Sequence, residues 1–176
     1  MLKYIKFLLA GFLFFSACST LKVNVDYDDA YDFAKVKTYM VKHNPKEGES
    51  TLVNDRITSS LENVLDAKGY KKVTSEADLI FVYHYAAKDK IDIQTDYHMI
   101  GIRRYGFGGT MVATTTAYEY TEGTIIIDAF DTKTNKIVWR SVGSLELQEQ
   151  ETPEEKRAYV QKIIAKLMEK FPSTSL

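Results

Sequence analysis

Thr124-Ile125-Ile126-Ile127-Asp128-Ala129-Phe130 and Ile137-Val138-Trp139-Arg140-Ser141-Val142-Gly143-Ser144-Leu145-Glu146-Leu147 are two runs rich in β-branched and aromatic residues. Only Asp131 to Lys136 separates them. Residues of this kind fit a pleated, half-buried surface, and a short polar linker returns the chain beside itself, so the pair predicts an antiparallel hairpin. Downstream, Thr152-Pro153-Glu154-Glu155 supplies a cap, a proline at the first helical position and a glutamate three residues after the cap. Val160, Ile163, Ile164, Leu167, Met168 and Phe171 then recur at helical spacing until Pro172 stops them.

Upstream, Val53, Ile57, Leu61, Val64 and Leu65 make a second helical stripe, with Ser50 or Thr51 as cap and Gly69 as stop. Val23, Val25 and Tyr27 alternate with polar residues, and Val36 to Val41 forms a further extended segment. Leu79 to Ala87 is apolar on both alternating sets, as in a central strand. Ile91 to Tyr97 reads as a weaker strand, Met99 to Met111 as a Gly-rich turn region, and Val112 to Tyr120 as extended again. The expected fold is therefore a two-layer α+β domain over residues 23–176, with both helices on one face of a predominantly antiparallel sheet. Leu61, Val82, Ile126 and Ile164 are expected in its shared core. No internal repeat or linker divides this stretch.

The chain has 176 residues, with 23 Lys plus Arg against 24 Asp plus Glu and 45% hydrophobic residues. Such a composition excludes a disordered chain, and near-neutrality argues against binding nucleic acid by phosphate neutralisation. A single cysteine excludes an internal disulfide framework and any multi-cysteine zinc site. That cysteine is Cys18. Ahead of it stand Lys3 and Lys6, the uncharged apolar run Phe7 to Phe15, and the small pair Ser16-Ala17. A basic region, a short apolar region and a small-residue cut site make a signal peptide, here residues 1–17, and the apolar run is too short to span a bilayer comfortably.

Phe15-Ser16-Ala17-Cys18 resembles the lipobox of bacterial lipoproteins, in which the thiol is diacylated after cleavage. An ordinary signal peptide with a chance cysteine is the plainer alternative. Residues 18–22 would then be the lipidated cysteine and a short tether, with more than one acyl chain giving stable anchoring. Ser19, rather than Asp, follows the cysteine, and by resemblance to lipoprotein sorting rules this implies the outer membrane with the domain facing the periplasm. Without ATP in that compartment, kinases and nucleotide-driven motors become poor readings.

Five ordered landmarks resemble the bacterial lipoproteins of the domain-of-unknown-function 4136 family: Asp32-Phe33-Ala34-Lys35-Val36-Lys37-Thr38-Tyr39, Leu65-Asp66-Ala67-Lys68-Gly69-Tyr70, Ala77-Asp78-Leu79-Ile80-Phe81-Val82-Tyr83, Glu122-Gly123-Thr124 through Asp131, and Lys136-Ile137-Val138-Trp139-Arg140. The tail Phe171-Pro172 also fits. The resemblance implies an exported α+β domain and brings no catalytic residue, ligand or partner with it.

Several residues invite a chemical reading. Asp26, Asp28, Asp29 and Asp32 could hold calcium, but Ala30 and Tyr31 stand where further ligands and a glycine belong, so a solvated turn is the plainer reading. Asp128 and Asp131 could be a carboxylate pair, although their odd separation puts them on different faces of a regular strand. His43, His84 and His98 have no zinc-motif spacing, Ser141 and Ser144 sit in no nucleophile elbow, and Trp139 reads as a packing anchor. The expected function is a non-enzymatic envelope module, binding or structural, with no metal or cofactor. Its partners would be the membrane through Cys18 and an envelope protein, glycan or lipid, but no nucleic acid. A periplasmic hydrolase using scattered residues such as Asp128, His84 and His98 is the alternative. Arg103, Arg104, Tyr105 and Phe107, set among Gly101, Gly106, Gly108 and Gly109, are the candidate partner contact because these residue types favour interfaces.

Overall fold

A computed structural model describes residues 21–100 and 110–174. Strand β1 (Lys22–Tyr27) leads through a short 3₁₀ turn (Phe33–Lys35) to β2 (Thr38–Lys42) and helix α1 (Thr51–Ala67). There follow β3 (Lys71–Lys72), β4 (Leu79–Ile100), β5 (Thr110–Asp131), β6 (Lys136–Glu146) and helix α2 (Pro153–Leu167). The six strands form one sheet in the order β1-β6-β5-β4-β2-β3.

The sheet is mixed, which corrects the expectation of a predominantly antiparallel one. β1 with β6, β6 with β5, and β5 with β4 pair antiparallel, whereas β2 runs parallel to both β4 and β3. The cause is α1: a helix between β2 and the next strands carries the chain back to the starting end, and a strand entered that way runs parallel. The helix can stop sharply because Gly69 sits at φ +89°. Its N–H donates to the Asp66 carbonyl while that of Tyr70 donates to the Leu65 carbonyl, closing the last turn of α1. At the other helix, Thr152 and Glu155 cap each other's backbone reciprocally, as their spacing predicts.

Both helices bury their stripes in one core. Ile57, Leu61 and Leu65 of α1 join Ile164 and Leu167 of α2 and the following Met168 and Phe171 against Leu79, Phe81, Tyr83, Ile125, Ile127 and Ala129. Trp139 is buried and meets Phe171 edge to face at 5.1 Å. Val82 and Ile126, expected in this core, instead lie half-buried on the opposite face of the sheet. Both alternating sets of β4 are apolar, so its sequence does not say which set meets the helices; pairing puts His84 opposite Ile126 and Tyr83 opposite Ile127, with the second pair inside.

The second correction is one of length. The segments read as separate extended pieces are continuous in β4 and β5, each 22 residues long and paired from Leu79 with Asp131 to Ile100 with Thr110. The pairing of β6 with β5 ends at Glu122, and that of β2 with β4 ends at Val82. Beyond Asp89 and Thr121 the two long strands therefore pair along their length with each other alone among the described residues, as a ribbon leaving the body of the sheet.

Candidate interaction site

The ribbon's base, the start of α1 and the second half of α2 enclose an apolar groove of about 280 Å³. Val53 and Ile57 of α1, Val160, Ile163 and Ile164 of α2, Ala87, Gly123 and Leu147 form most of its wall. Gly123 belongs here for steric reasons, since a Cβ on it would stand 2.5 Å from Leu147 Cδ2. Leu147 itself is 40% exposed at the rim. Its wall is almost wholly apolar, so a molecule seated there would be held by burial of apolar surface.

One flank of the groove is stiffened by an aromatic and ionic cluster. The His43 ring stacks on Tyr83, its Nδ1 faces the Tyr83 carbonyl at 3.2 Å, and its Nε2 meets Glu49 Oε2 at 2.7 Å. Both ring nitrogens thus face oxygen acceptors. Burial pushes the Glu49 carboxyl up, yet its bond to His43 and the surrounding backbone hold it below the usual carboxylate range. The Tyr83 hydroxyl donates to the Asn54 carbonyl at 3.1 Å and lies 3.0 Å from Thr58 Oγ1, which ties β4 to α1. Burial, with the Glu49 charge nearby, pushes the Tyr85 phenol up.

The carboxylates singled out in the sequence are occupied with structure. Asp131 accepts from the Thr134 N–H and hydroxyl at 2.8 and 2.6 Å and from the Tyr31 hydroxyl at 3.0 Å, so it opens the β5–β6 turn. Asp128 points to the other face and takes a two-toothed ion pair from Arg140, at 2.5 and 2.7 Å. Asp28 and Asp32 accept from the N–H two residues on, as in a solvated turn. His84 is exposed, and His98 sits sixteen residues beyond Val82, the residue opposite Asp128, or about 50 Å along the strand. The triad suggested for hydrolysis is thus not brought together. Among the described residues no group of three His, Cys, Asp or Glu stands close enough to hold a metal ion.

Cys18 and Arg103, Arg104, Tyr105 and Phe107 lie outside the described residues, the last four in the segment joining Ile100 to Thr110. What sequence reasoning missed is the groove and the ribbon. Val53, Val160 and Ile163 were legible as helical stripe, but nothing in either stripe tells that these residues overhang the sheet. Ile91 and Ile93, 64% and 67% exposed, carried a visible signal: they alternate with Asp92 and Gln94 in a segment with no amphipathic helix left to cover it.

A profile of the domain of unknown function DUF4136 matches residues 23–173. The chain belongs to this family. Among solved structures, a PDZ domain protein from Parabacteroides distasonis ATCC 8503 superposes with a TM-score of 0.56 at 17% identity, covering 89% of this chain. The chain spans only 36% of that protein's length. The PelC dodecamer from Paraburkholderia phytofirmans superposes with a TM-score of 0.51 at 12% identity, over 88% of this chain and 99% of the other. At these identities the likeness is one of fold. No curated protein matches the DUF4136 chain.

Proposed function

We propose that this DUF4136 protein is a lipid-anchored envelope lipoprotein, held at the outer membrane with its domain in the periplasm, where it acts as a non-enzymatic binding or scaffolding module. The observation that carries the reading is the sole cysteine, Cys18, standing directly after an apolar run and Ser16-Ala17. Diacylation there supplies the anchor. The domain's own contribution is recognition: an apolar groove and a projecting ribbon, with the carboxylates at 128 and 131 engaged in the fold. Arg103, Arg104, Tyr105 and Phe107, between the ribbon's two strands, belong to the same reading as contacts to an envelope protein, glycan or lipid. The PelC relative in fold assembles as a dodecamer, and this supports an assembly role over a soluble catalyst.

Cys18→Ser tests the anchor. The variant is expected in the soluble periplasmic fraction, or as unprocessed precursor, without lipid label. Recovery in the membrane fraction with the label intact overturns the reading. Crosslinking in the producing cells, followed by identification of the captured neighbours, tests the binding role; loss of a captured neighbour on replacing Arg103, Arg104, Tyr105 and Phe107 with Ser would assign it to the segment joining the strands.

A further inference from the structure

We propose that the end of the domain from which the ribbon projects is its bilayer-facing end, and that the ribbon lies along the lipid surface on the face carrying Ile91 and Ile93. The inference rests on the Cys18 anchor and adds to it an orientation and a contact surface.

Strand polarity places the anchor. β1 starts at Lys22 opposite Ser144, close to the end of β6, and the same end holds Leu147, the ribbon's base at Glu122 and Gly123, and the start of α1. Leu21 Cδ1 lies where it would come within 3.2 Å of a Cβ on Gly143. From Leu21 back to Cys18 is three residues, about 10 Å fully extended. The polar layer on one side of a bilayer is about 5–7 Å thick, so acyl chains on Cys18 hold this end of the domain at the headgroups.

The exposed apolar residues are distributed accordingly. Of seven large hydrophobic residues exposed among those described, Leu52, Leu147, Ile91 and Ile93 lie at this end or on one face of the ribbon, and Tyr118 lies on the ribbon's other face. Tyr27 and Ile137 lie at the far end. The apolar groove opens at the same corner, between Leu147, Val53 and the ribbon's base.

Charge decides how the ribbon can sit. From Ala87 to Asp96 it runs about 30 Å, as long as the hydrocarbon core is thick, and carries Lys88, Asp89, Lys90, Asp92, Asp96 and Glu119. Each charge at the bilayer centre costs about 2.5–3.5 kcal/mol, and a two-strand ribbon leaves backbone groups open on both edges. It cannot pierce the membrane; it can lie at the interface, where those groups stay hydrated.

Pairing then selects the face. Ile91 with Glu119, Ile93 with Ala117 and Thr95 with Thr115 share the face that continues from the helix side of the sheet. Lys90 with Tyr120, Asp92 with Tyr118, and Asp96 with Thr114 share the other. On that second face Lys90 pairs with Glu122 at 2.6 Å, and the Tyr118 hydroxyl donates to Glu146 at 2.8 Å. The first face also carries Asp89 and Glu119 toward the body, but it holds both exposed isoleucines, and it is the one with apolar surface to bury against lipid.

The experiment uses the acylated chain in vesicles of phosphatidylethanolamine and phosphatidylglycerol, with an environment-sensitive fluorophore on Leu52→Cys, Ile93→Cys or Ile137→Cys. All three sites are exposed, so the fold tolerates the label, and acylated Cys18 leaves no competing thiol. Spin-labelled lipid should remove most of the fluorescence at 52 and 93 and leave 137 unchanged. Equal, weak quenching at all three sites overturns the proposal. So does an Ile93→Cys disulfide between two chains together with protection from lipid, which would make the face an interface between copies. The mass of the Cys18 peptide reads the anchor separately. A Cys18→Ser chain, tethered by a hexahistidine tag ahead of residue 18 to nickel-chelating lipid, repeats the quenching without native acylation. Loss of acyl mass with quenching preserved in the tethered chain would therefore indict the anchor alone.

Discussion

The imidazole of His43 lies flat on the phenol ring of Tyr83, centroids 4.2 Å apart and planes 3° from parallel. Through that contact the loop after β2 is fixed to the middle of the sheet, and the Tyr83 hydroxyl carries the connection on to Asn54 and Thr58 in α1. The hydroxyl is buried, so removing it leaves the Thr58 hydroxyl short of a partner. Tyr83→Phe should cost about 1–2 kcal/mol in urea unfolding with the slope unchanged. A variant as stable as the parent would show that the hydroxyl does not link β4 to the helix.

The covered and open sides of the sheet should respond very differently to truncation. Ile164 of α2 is fully buried in the core, and Ile164→Ala should cost about 2–5 kcal/mol. Val82 is half-buried on the face without helices, and Val82→Ala should cost about 1 kcal/mol or less. Equal losses in thermal or chemical unfolding would mean that the open face is covered in solution.

This contrast also marks what the sequence could tell. The hairpin of β5 and β6, both helix stripes and the capping box at Thr152 were legible because each rests on a local period or a local hydrogen bond. The side to which Val82 and Ile126 point was not, because Ile80, Val82 and Ile126 are as apolar as the residues facing the core. The parallel pairing of β2 with β4 was implicit in the helix between them, though no single residue announces it. The groove depends on how far two helices lie over a sheet edge, a distance that no stretch of sequence encodes locally. Cys18 is the reverse case: its sequence context is informative, and its position lies outside the described residues.

Acid should weaken the fold through Asp131. Its bonds from Thr134, and from the Tyr31 hydroxyl, hold the carboxyl below its ordinary value in spite of burial. A carboxyl whose folded pKa is depressed stabilises the fold above the unfolded value, about 4, and loses that contribution as pH falls through the folded one. Asp78, lowered by bonds from Lys37 and Thr38 that outweigh its burial, acts in the same direction. Asp131→Asn should therefore be less stable than the parent by about 1–3 kcal/mol at pH 7, with the gap narrowing toward pH 3. A gap that stays constant with pH would show that the loss is one of turn geometry rather than charge.

The ribbon should prove dispensable for folding. Past Lys90 and Tyr120 the long strands contribute nothing to the core, and their exposed Ile91, Ile93 and Tyr118 pack against no helix. An isolated two-stranded hairpin is marginally stable in water, so its own pairing adds little to the body's stability. Lys90 and Tyr120 face each other across the ladder, which lets an Asn-Gly turn replace residues 91–119 and close a short hairpin. The shortened chain should keep its melting temperature within about 4 °C, roughly the shift that 1 kcal/mol produces in a chain of this size. The Lys90–Glu122 ion pair would remain, while the Tyr118 bond to Glu146 would be lost, a solvent-exposed contact of small worth. Retained folding would place the ribbon's purpose outside the fold. A drop much larger than 4 °C would instead make the ribbon part of the folding unit.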